Sequence, residues 1–321
     1  MVRERLLELE NVSMNFPVER FGTKTKYVNA MKDISFSIEK GEILSLVGES
    51  GSGKTTTAKV VTRLYKPSAG DVRFRGLDIF GSQIKEFNYK KSVQMIFQNP
   101  YEVLNPTHKV KSILERPFAI HKLAAKEEWD EEIAQLLTSV GLEPPENYIR
   151  KFPHELSGGE RQRINIARSI SVHPELLLAD EPTSMLDVSM KMIIMNMLKK
   201  FRDERSISLL YITHDLAGAR YIADRIAVMY AGILAEIGPS DDVIEKAYHP
   251  YTKLLRSAAP QPEKGFRQGK LTTKGDIPNL VDPPKGCRFH PRCPIATKQC
   301  SQAIPPLREI EPQHLVACIR V

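Results

Sequence analysis

The sequence predicts an α/β fold built on a mostly parallel sheet, and three observations carry that expectation. Short apolar runs that suit buried strands alternate with stretches of helical spacing. Three of those runs lead directly into residues able to do chemistry: a glycine-rich loop after Val47, two carboxylates at Asp180 and Glu181, and His214. Open α/β sheets bind ligands beyond the carboxyl ends of their strands. After about residue 240 prolines become frequent and periodicity fades, so a boundary is expected near 240–260.

In chain order, residues 6–38 read as β-structure, and Ile34-Ser35-Phe36-Ser37-Ile38 alternates as a half-buried strand does. Ile43-Leu44-Ser45-Leu46-Val47 suits a buried strand. A helix is expected from Thr55 to Leu64 and a turn over Lys66-Pro67-Ser68-Ala69-Gly70. Residues 107–172 read as mostly helical, with Glu127–Val140 the clearest helix. Leu176–Asp180 and Ile207–Thr213 are further buried strands, and 226–237 reads as a β-hairpin turning at Ala231-Gly232.

Composition narrows the function classes. Of 321 residues, 41% are hydrophobic and 26% charged, enough for a real core with a solvated surface. No apolar stretch reaches the length of a membrane span. Met1-Val2-Arg3-Glu4-Arg5 offers no signal-peptide core, so a cytosolic chain is expected. The net charge is +7, but the basic residues are dispersed among 39 acids. That pattern describes a solvated face and gives no footing for nucleic acid.

Gly48-Glu49-Ser50-Gly51-Ser52-Gly53-Lys54-Thr55 matches G-x-x-x-x-G-K-[ST] between an expected strand and an expected helix. Backbone N–H groups of such a loop turn inward on phosphate oxygens, and the helix adds its positive end. Lys54 is expected to reach the β- and γ-phosphates and Thr55 to ligate Mg²⁺. Past Leu176–Ala179, Asp180 is placed to hold Mg²⁺ and Glu181 to act as general base on water. Ser157-Gly158-Gly159 opens a helix and makes a second anion site.

Leu156-Ser157-Gly158-Gly159-Glu160, together with these motifs, resembles the LSGGQ signature of the ABC (ATP-binding cassette) ATPases, with Glu160 where the family has glutamine. The resemblance spans roughly residues 5–240. It implies an ABC cassette over 1–245, with an antiparallel β subdomain and a helical subdomain at about 100–172. It implies ATP and Mg²⁺ as cofactors, with the 48–56 loop, including Thr56, on the nucleotide. Gln98 in Met95-Ile96-Phe97-Gln98 matches the glutamine loop, a further contact to Mg²⁺. Asp187 matches the D-loop, where Met185 stands in place of the more usual alanine. His214 matches the switch histidine at the γ-phosphate. Phe16 fits best for stacking on adenine, and Tyr27 is the alternative because an insertion at 17–26 blurs the alignment. The family works as a head-to-tail ATPase dimer, in which Ser157-Gly158-Gly159 of one subunit meets ATP on the other.

All four cysteines, Cys287, Cys293, Cys300 and Cys318, lie in the last 35 residues. In a cytosolic chain such clustering points to a metal site before disulfides. The spacing does not fit a paired CxxC zinc site, so zinc, an iron–sulfur cluster and four free thiols stay open. His290 and His314 read as loop-packing residues. The C-x-x-H-P-R-C-P pattern resembles the C-terminal extension of the oligopeptide/dipeptide transporter ATPases, here over 246–321. That resemblance implies a [4Fe–4S] cluster on the four cysteines, with zinc as the alternative. It implies an importer at the cytoplasmic face of the membrane. Its partners would be two permeases, an extracellular substrate-binding protein and a second, related ATPase, with no nucleic acid. A non-transport ABC ATPase would carry two cassettes or long coiled-coil insertions, and neither is present. Glu181 and His214 argue against a non-hydrolysing module.

Overall fold

The computed structural model describes residues 4–21, 24–258 and 278–321. Met1–Arg3 of the N-terminal reading, and Pro260 and Pro262 of the proline-rich stretch, lie outside the described residues. The chain divides into two compact units, residues 1–81 with 211–321, and residues 82–210. The division does not follow the boundary expected near 240–260: the C-terminal region belongs to the same unit as the glycine-rich loop.

The first unit opens with two long strands, β1 (Arg5–Phe21) and β2 (Lys24–Glu39), followed by β3 (Ile43–Val47), helix α1 (Lys54–Val61), β4 (Ala69–Phe74) and β5 (Leu77–Asp78). Leu7, Leu9, Ile34, Phe36 and Ile38 are buried while Glu8, Glu10, Ser35 and Ser37 are not, the period-2 alternation of a one-sided sheet. These strands form an antiparallel sheet in the order β2-β1-β4-β5. Each residue of β3 is buried, as a central strand requires.

Two local expectations need correction. Helix α1 ends at Val61, not Leu64, because Thr62 turns its hydroxyl back onto the Ala58 C=O at 2.9 Å and Arg63 takes a left-handed φ of 60°. The turn expected to reach Gly70 stops earlier: β4 begins at Ala69. Gly70, at φ 83°, lies so near β1 that a Cβ would stand 2.3 Å from the Asn11 C=O.

The second unit holds α2 (Glu86–Ser92), β6 (Val93–Ile96), α3 (Pro100–Val103), α4 (Val110–His121), α5 (Trp129–Ser139), α6 (Glu146–Ile149), α7 (Gly158–Ile170), β7 (Leu176–Asp180) and α8 (Val188–Arg205). β6 and β7 pair in parallel, Val93 opposite Leu176 through Ile96 opposite Ala179. Helices α3, α7 and α8 start at Asn99, Ser157 and Asp187, whose side chains accept backbone N–H groups of the first turn.

Strand β8 (Ser208–Thr213) contains the division. Beyond it the first unit resumes with α9 (Leu216–Ile222), β9 (Arg225–Tyr230), β10 (Ile233–Pro239), α10 (Ser240–Glu245), α11 (Pro250–Ala258), β11 (Arg308–Glu311) and β12 (His314–Val316). β9 lies parallel to β3, and the order within this unit runs β11-β12-β10-β9-β3. The expected hairpin forms: β9 and β10 are joined by Ala231 and Gly232 at φ 45° and 83°, the two left-handed residues of a tight hairpin turn.

A core of this unit gathers Val47, Val228, Tyr230, Tyr251, Phe289 and Cys287, so the C-terminal region shares a hydrophobic interior with β3 and β9. A polar cluster lies beside it. Glu236 on β10 and His314 on β12 are both 0% exposed, with His314 Nε2 2.7 Å from Glu236 Oε1. The N–H groups of Tyr248 and His249 donate to the same carboxylate at 2.9 Å each. Burial opposes charge on Glu236, but the His314 bond and these donors hold it below the usual carboxylate range. Burial keeps neighbouring His249 neutral down to about pH 4, with Nδ1 accepting the Tyr251 N–H.

Candidate active site

Between β3 and α1 the chain runs through Gly48–Gly53 with Gly51 and Gly53 at φ 75° and 102°. A Cβ on Gly48 would stand 2.1 Å from the Met229 C=O, and one on Gly53 2.5 Å from the Ala30 C=O. Only glycine fits either place, which leaves the loop backbone free to line a concave surface. Lys54 is 5% exposed and folds back over that surface: Nζ donates to the Gly48 C=O at 2.7 Å and the Glu49 C=O at 2.9 Å. The amine is thus held where a phosphate chain would enter. Thr55 is exposed and Thr56 half-buried, whereas Thr57 is turned inward with its hydroxyl on the Gly53 C=O. The residue that starts α1 is Gly53, which has no side chain to cap the helix. Ser50 and Gly51 are exposed and Ser52 is buried.

Phe16, on β1, is half-buried and meets Tyr65 edge-on at 5.2 Å. Tyr27 stands 48% exposed on β2, opposite Pro17. His214 is exposed just past β8, where Asp215 starts α9 by accepting the Ala217 N–H at 3.0 Å.

In the second unit, Asp180 ends β7 and is 3% exposed. Glu181 follows with a left-handed φ of 43°, a conformation that costs a non-glycine residue energy. Gln98 Nε2 donates to Glu181 Oε2 at 3.1 Å, so two sites 83 positions apart in sequence meet directly. The glutamine loop is supported from behind by buried Asn165, whose Nδ2 donates to the Phe97 C=O at 3.5 Å.

Ser157 caps α7 reciprocally with Glu160: Ser157 Oγ accepts the Glu160 N–H at 3.3 Å, and the Glu160 carboxylate accepts the Ser157 N–H at 2.7 Å. The residue that departs from the family's glutamine therefore keeps a capping role. A Cβ on Gly159 would stand 2.6 Å from Met190 Cε, so the flexible end of that side chain would have to give way. Asp187 is exposed and caps α8 through the Met190 N–H at 2.9 Å. A hydrogen bond from Ser189 first, then that N–H, hold its carboxyl below the usual range.

The four cysteines are unpaired, and all four line one small apolar cavity with Phe289 and Ile319. Gly286, at φ 74°, lets the chain close on itself there, with the Cys287 N–H donating to the Cys300 C=O at 2.8 Å. The N–H groups of Thr297 and Arg320 point at the sulfurs of Cys300 and Cys318, both at 3.4 Å. Burial pushes the Cys287 thiol up to about 11 and raises Cys293 as well. Burial also opposes ionisation of Cys300, but hydrogen bonds from Thr297 and the charge of Arg320 carry that thiol below its usual value. Four cysteines around an apolar cavity suit a thiolate-held metal in kind. As they stand, though, no three His, Cys, Asp or Glu side chains among the described residues are placed to hold an ion. His290 accepts no such duty: its Nδ1 lies 2.8 Å from the Cys287 C=O.

Sequence reasoning did not foresee the contacts around Glu49. Its carboxylate pairs with Arg292 at 2.9 Å, and its N–H donates to Tyr251 Oη at 2.9 Å. No local signal joins positions that distant.

Residues 31–184 match a family profile described as ABC transporter, and residues 235–300 match one described as Oligopeptide/dipeptide transporter, C-terminal region. The chain is 41% identical to an oligopeptide transport ATP-binding protein, AppF, of Bacillus subtilis (strain 168), covering 98% of this chain and 97% of that protein. It is 42% identical to a putative oligopeptide transport ATP-binding protein of the same organism, YkfD, over 99% and 96%. Among solved structures, the ATP-binding cassette MJ0796 in a post-hydrolysis dimer bound to ADP and Pi has a TM-score of 0.63 at 28% identity. The match covers 73% of this chain and 99% of that one.

Proposed function

The chain belongs to the ABC transporter family, as an ATP-hydrolysing subunit with the fold of its cassettes, and from that premise we propose that it powers peptide import through separate membrane permeases. The peptide assignment is supported by the names of the relatives and by the C-terminal profile. No helix among the described residues is long and apolar enough to cross a membrane, in keeping with a peripheral subunit docked at the cytoplasmic face. The partners in this reading are two permeases, an extracellular peptide-binding protein and a second, related ATPase. The cassette occupies 1–245 and the extension 246–321.

The observation that carries the catalytic reading is the Gln98–Glu181 hydrogen bond, which sets a carboxylate able to accept a proton beside a side chain able to orient water. The 48–56 loop receives the phosphates, with Lys54 on the β- and γ-oxygens, and Phe16 stacks on the base. Thr55, Gln98 and Asp180 would hold Mg²⁺, which neutralises phosphate charge when bound. Glu181 takes the proton of the attacking water. Lys54, His214 and Ser157 from the partner subunit steady the charge that develops on the γ-phosphoryl oxygens. Ser157-Gly158-Gly159 and Asp187 lie at the dimer interface, so one chain does not build a complete site.

Purification of the chain from its native membrane tests the transport reading. Co-isolation with integral membrane proteins, and ATP hydrolysis that rises when peptide and its binding protein are added, are the expected results. Co-isolation with nucleic acid or ribosomes instead would overturn it.

For the tail, the finer reading is a thiolate-held [4Fe–4S] cluster, with zinc the alternative. Its support is the convergence of four sulfurs on one apolar cavity, two of them already accepting backbone N–H groups. Anaerobic purification followed by metal and sulfide analysis checks it. About four iron per chain, with broad absorbance near 400 nm, is expected. A colourless protein with one zinc replaces the cluster, and a metal-free protein rejects both.

A further inference from the structure

The segment between Cys287 and Cys293 sends an arginine out of the cysteine tail to the phosphate loop. Arg292 Nη1 donates to Glu49 Oε2 at 2.9 Å and Nη2 to Oε1 at 3.3 Å, a two-pronged pair across 243 positions of sequence. Nη1 also donates to Tyr230 Oη at 3.1 Å, and the guanidinium lies over the rings of Tyr230 and Phe289 at 5.6 and 5.9 Å. The side chain is only 10% exposed, so the pair is screened less than a surface bridge.

Glu49 is the second residue of the phosphate loop, and its C=O is one of the two carbonyl oxygens that hold Lys54 Nζ. A carboxylate inside a loop shaped for a polyanion opposes the ligand unless its charge is met. Arg292 meets it with a planar fork, which also limits how the Glu49 backbone can turn. A second tether runs alongside. Arg288 Nη1 donates to the Ala231 C=O, and the next residue, Gly232, donates its N–H to the Ser52 C=O at 2.9 Å. The tail therefore grips the loop at Glu49 directly and at Ser52 through the β9–β10 turn.

We propose that Arg292 is a positioning residue for the phosphates of ATP, acting through Glu49, so that the cysteine tail is a working part of the nucleotide site. The inference rests on ATP binding at residues 48–56 as set out above.

The test compares the full-length wild type with Arg292→Ala, Arg292→Lys, Glu49→Gln and the Glu49→Gln/Arg292→Ala double variant. Binding of MgADP is read by calorimetry, and kcat and KM by ATP hydrolysis. Arg292→Ala is expected to weaken MgADP binding and raise the KM for ATP about ten-fold, with kcat within about two-fold. Arg292→Lys recovers part of the loss, because lysine keeps the charge without the fork. The double variant binds MgADP more tightly than Arg292→Ala, because no orphaned carboxylate then faces the phosphates. Unchanged binding in a folded Arg292→Ala, or losses that simply add in the double variant, would overturn the proposal. Should Arg292→Ala fail to fold, Arg292→Lys decides: wild-type KM and MgADP affinity reject the role, and a shift of about three-fold or more sustains it. A wild type that neither binds MgADP nor hydrolyses ATP would instead sink the ATPase reading itself. An active wild type with unaffected variants sinks only this inference.

Discussion

Glu181→Gln is expected to lower ATP turnover by about 10²–10⁴-fold while leaving ATP binding within a few-fold of wild type. Glutamine fills the same space, and its carbonyl oxygen still accepts from Gln98 Nε2, so the local arrangement persists. What disappears is the proton acceptor for water. Because hydrolysis is what would release the two subunits, the variant should also accumulate as an ATP-bound dimer, visible by gel filtration with Mg-ATP. The fall should appear in kcat, with KM nearly unmoved. A variant that hydrolyses ATP at the wild-type rate would remove Glu181 from the mechanism and leave the base unassigned. A loss of binding together with turnover would show that Glu181 holds the fold of its strand end and not the water.

His314→Ala carries the largest expected effect on stability. It takes one donor from the Glu236 carboxylate, which stays at 0% exposure with the Tyr248 and His249 N–H groups and the neighbouring Thr252 hydroxyl. Removing one partner of a buried, hydrogen-bonded carboxylate costs roughly 1–3 kcal/mol or more, the desolvation penalty of an acceptor left short of donors. Urea unfolding should report that loss, with Glu236→Gln milder because a neutral amide costs less to bury than a carboxylate. A loss below about 1 kcal/mol for His314→Ala would mean that water reaches the site. The pH sense follows from the depressed carboxyl. Between its unfolded value near 4.5 and its lower folded value the unfolded chain binds more protons. The contribution of Glu236 is therefore present above pH 4.5 and lost as pH falls through the folded value.

Much of the fold was legible because it rests on local pattern. β3, β7 and β8 are runs of apolar residues buried along their length, and their ends carry the glycine loop, Asp180 with Glu181, and His214. The β9–β10 hairpin was legible from two turn residues. The stop of α1 was not, because Arg63 takes the left-handed conformation that a glycine would have announced. Glu236 was not, because nothing in an apolar strand signals that a carboxylate will meet a histidine 78 positions later. The motifs of the candidate site were legible singly, since each is a short spacing with its own chemistry. Their joining was not: Gln98 to Glu181 and Glu49 to Arg292 depend on chain topology, which short spacings do not encode.

The pairing of β12 onto β10 has a consequence for the purified protein. Without it, β10 would present unpaired N–H and C=O groups around Ala235, Glu236 and Ile237, an open template for a strand of another molecule. β12 covers it, with Glu236 opposite Val316 and Ile237 opposite Leu315. The outermost strand then becomes β11, four residues long, with Arg308 and Glu309 exposed. Short, charged rims resist sheet-to-sheet aggregation. The last residues of the chain thus protect its solubility, and a protein shortened ahead of Arg308 is one whose copies would stick to each other along β10.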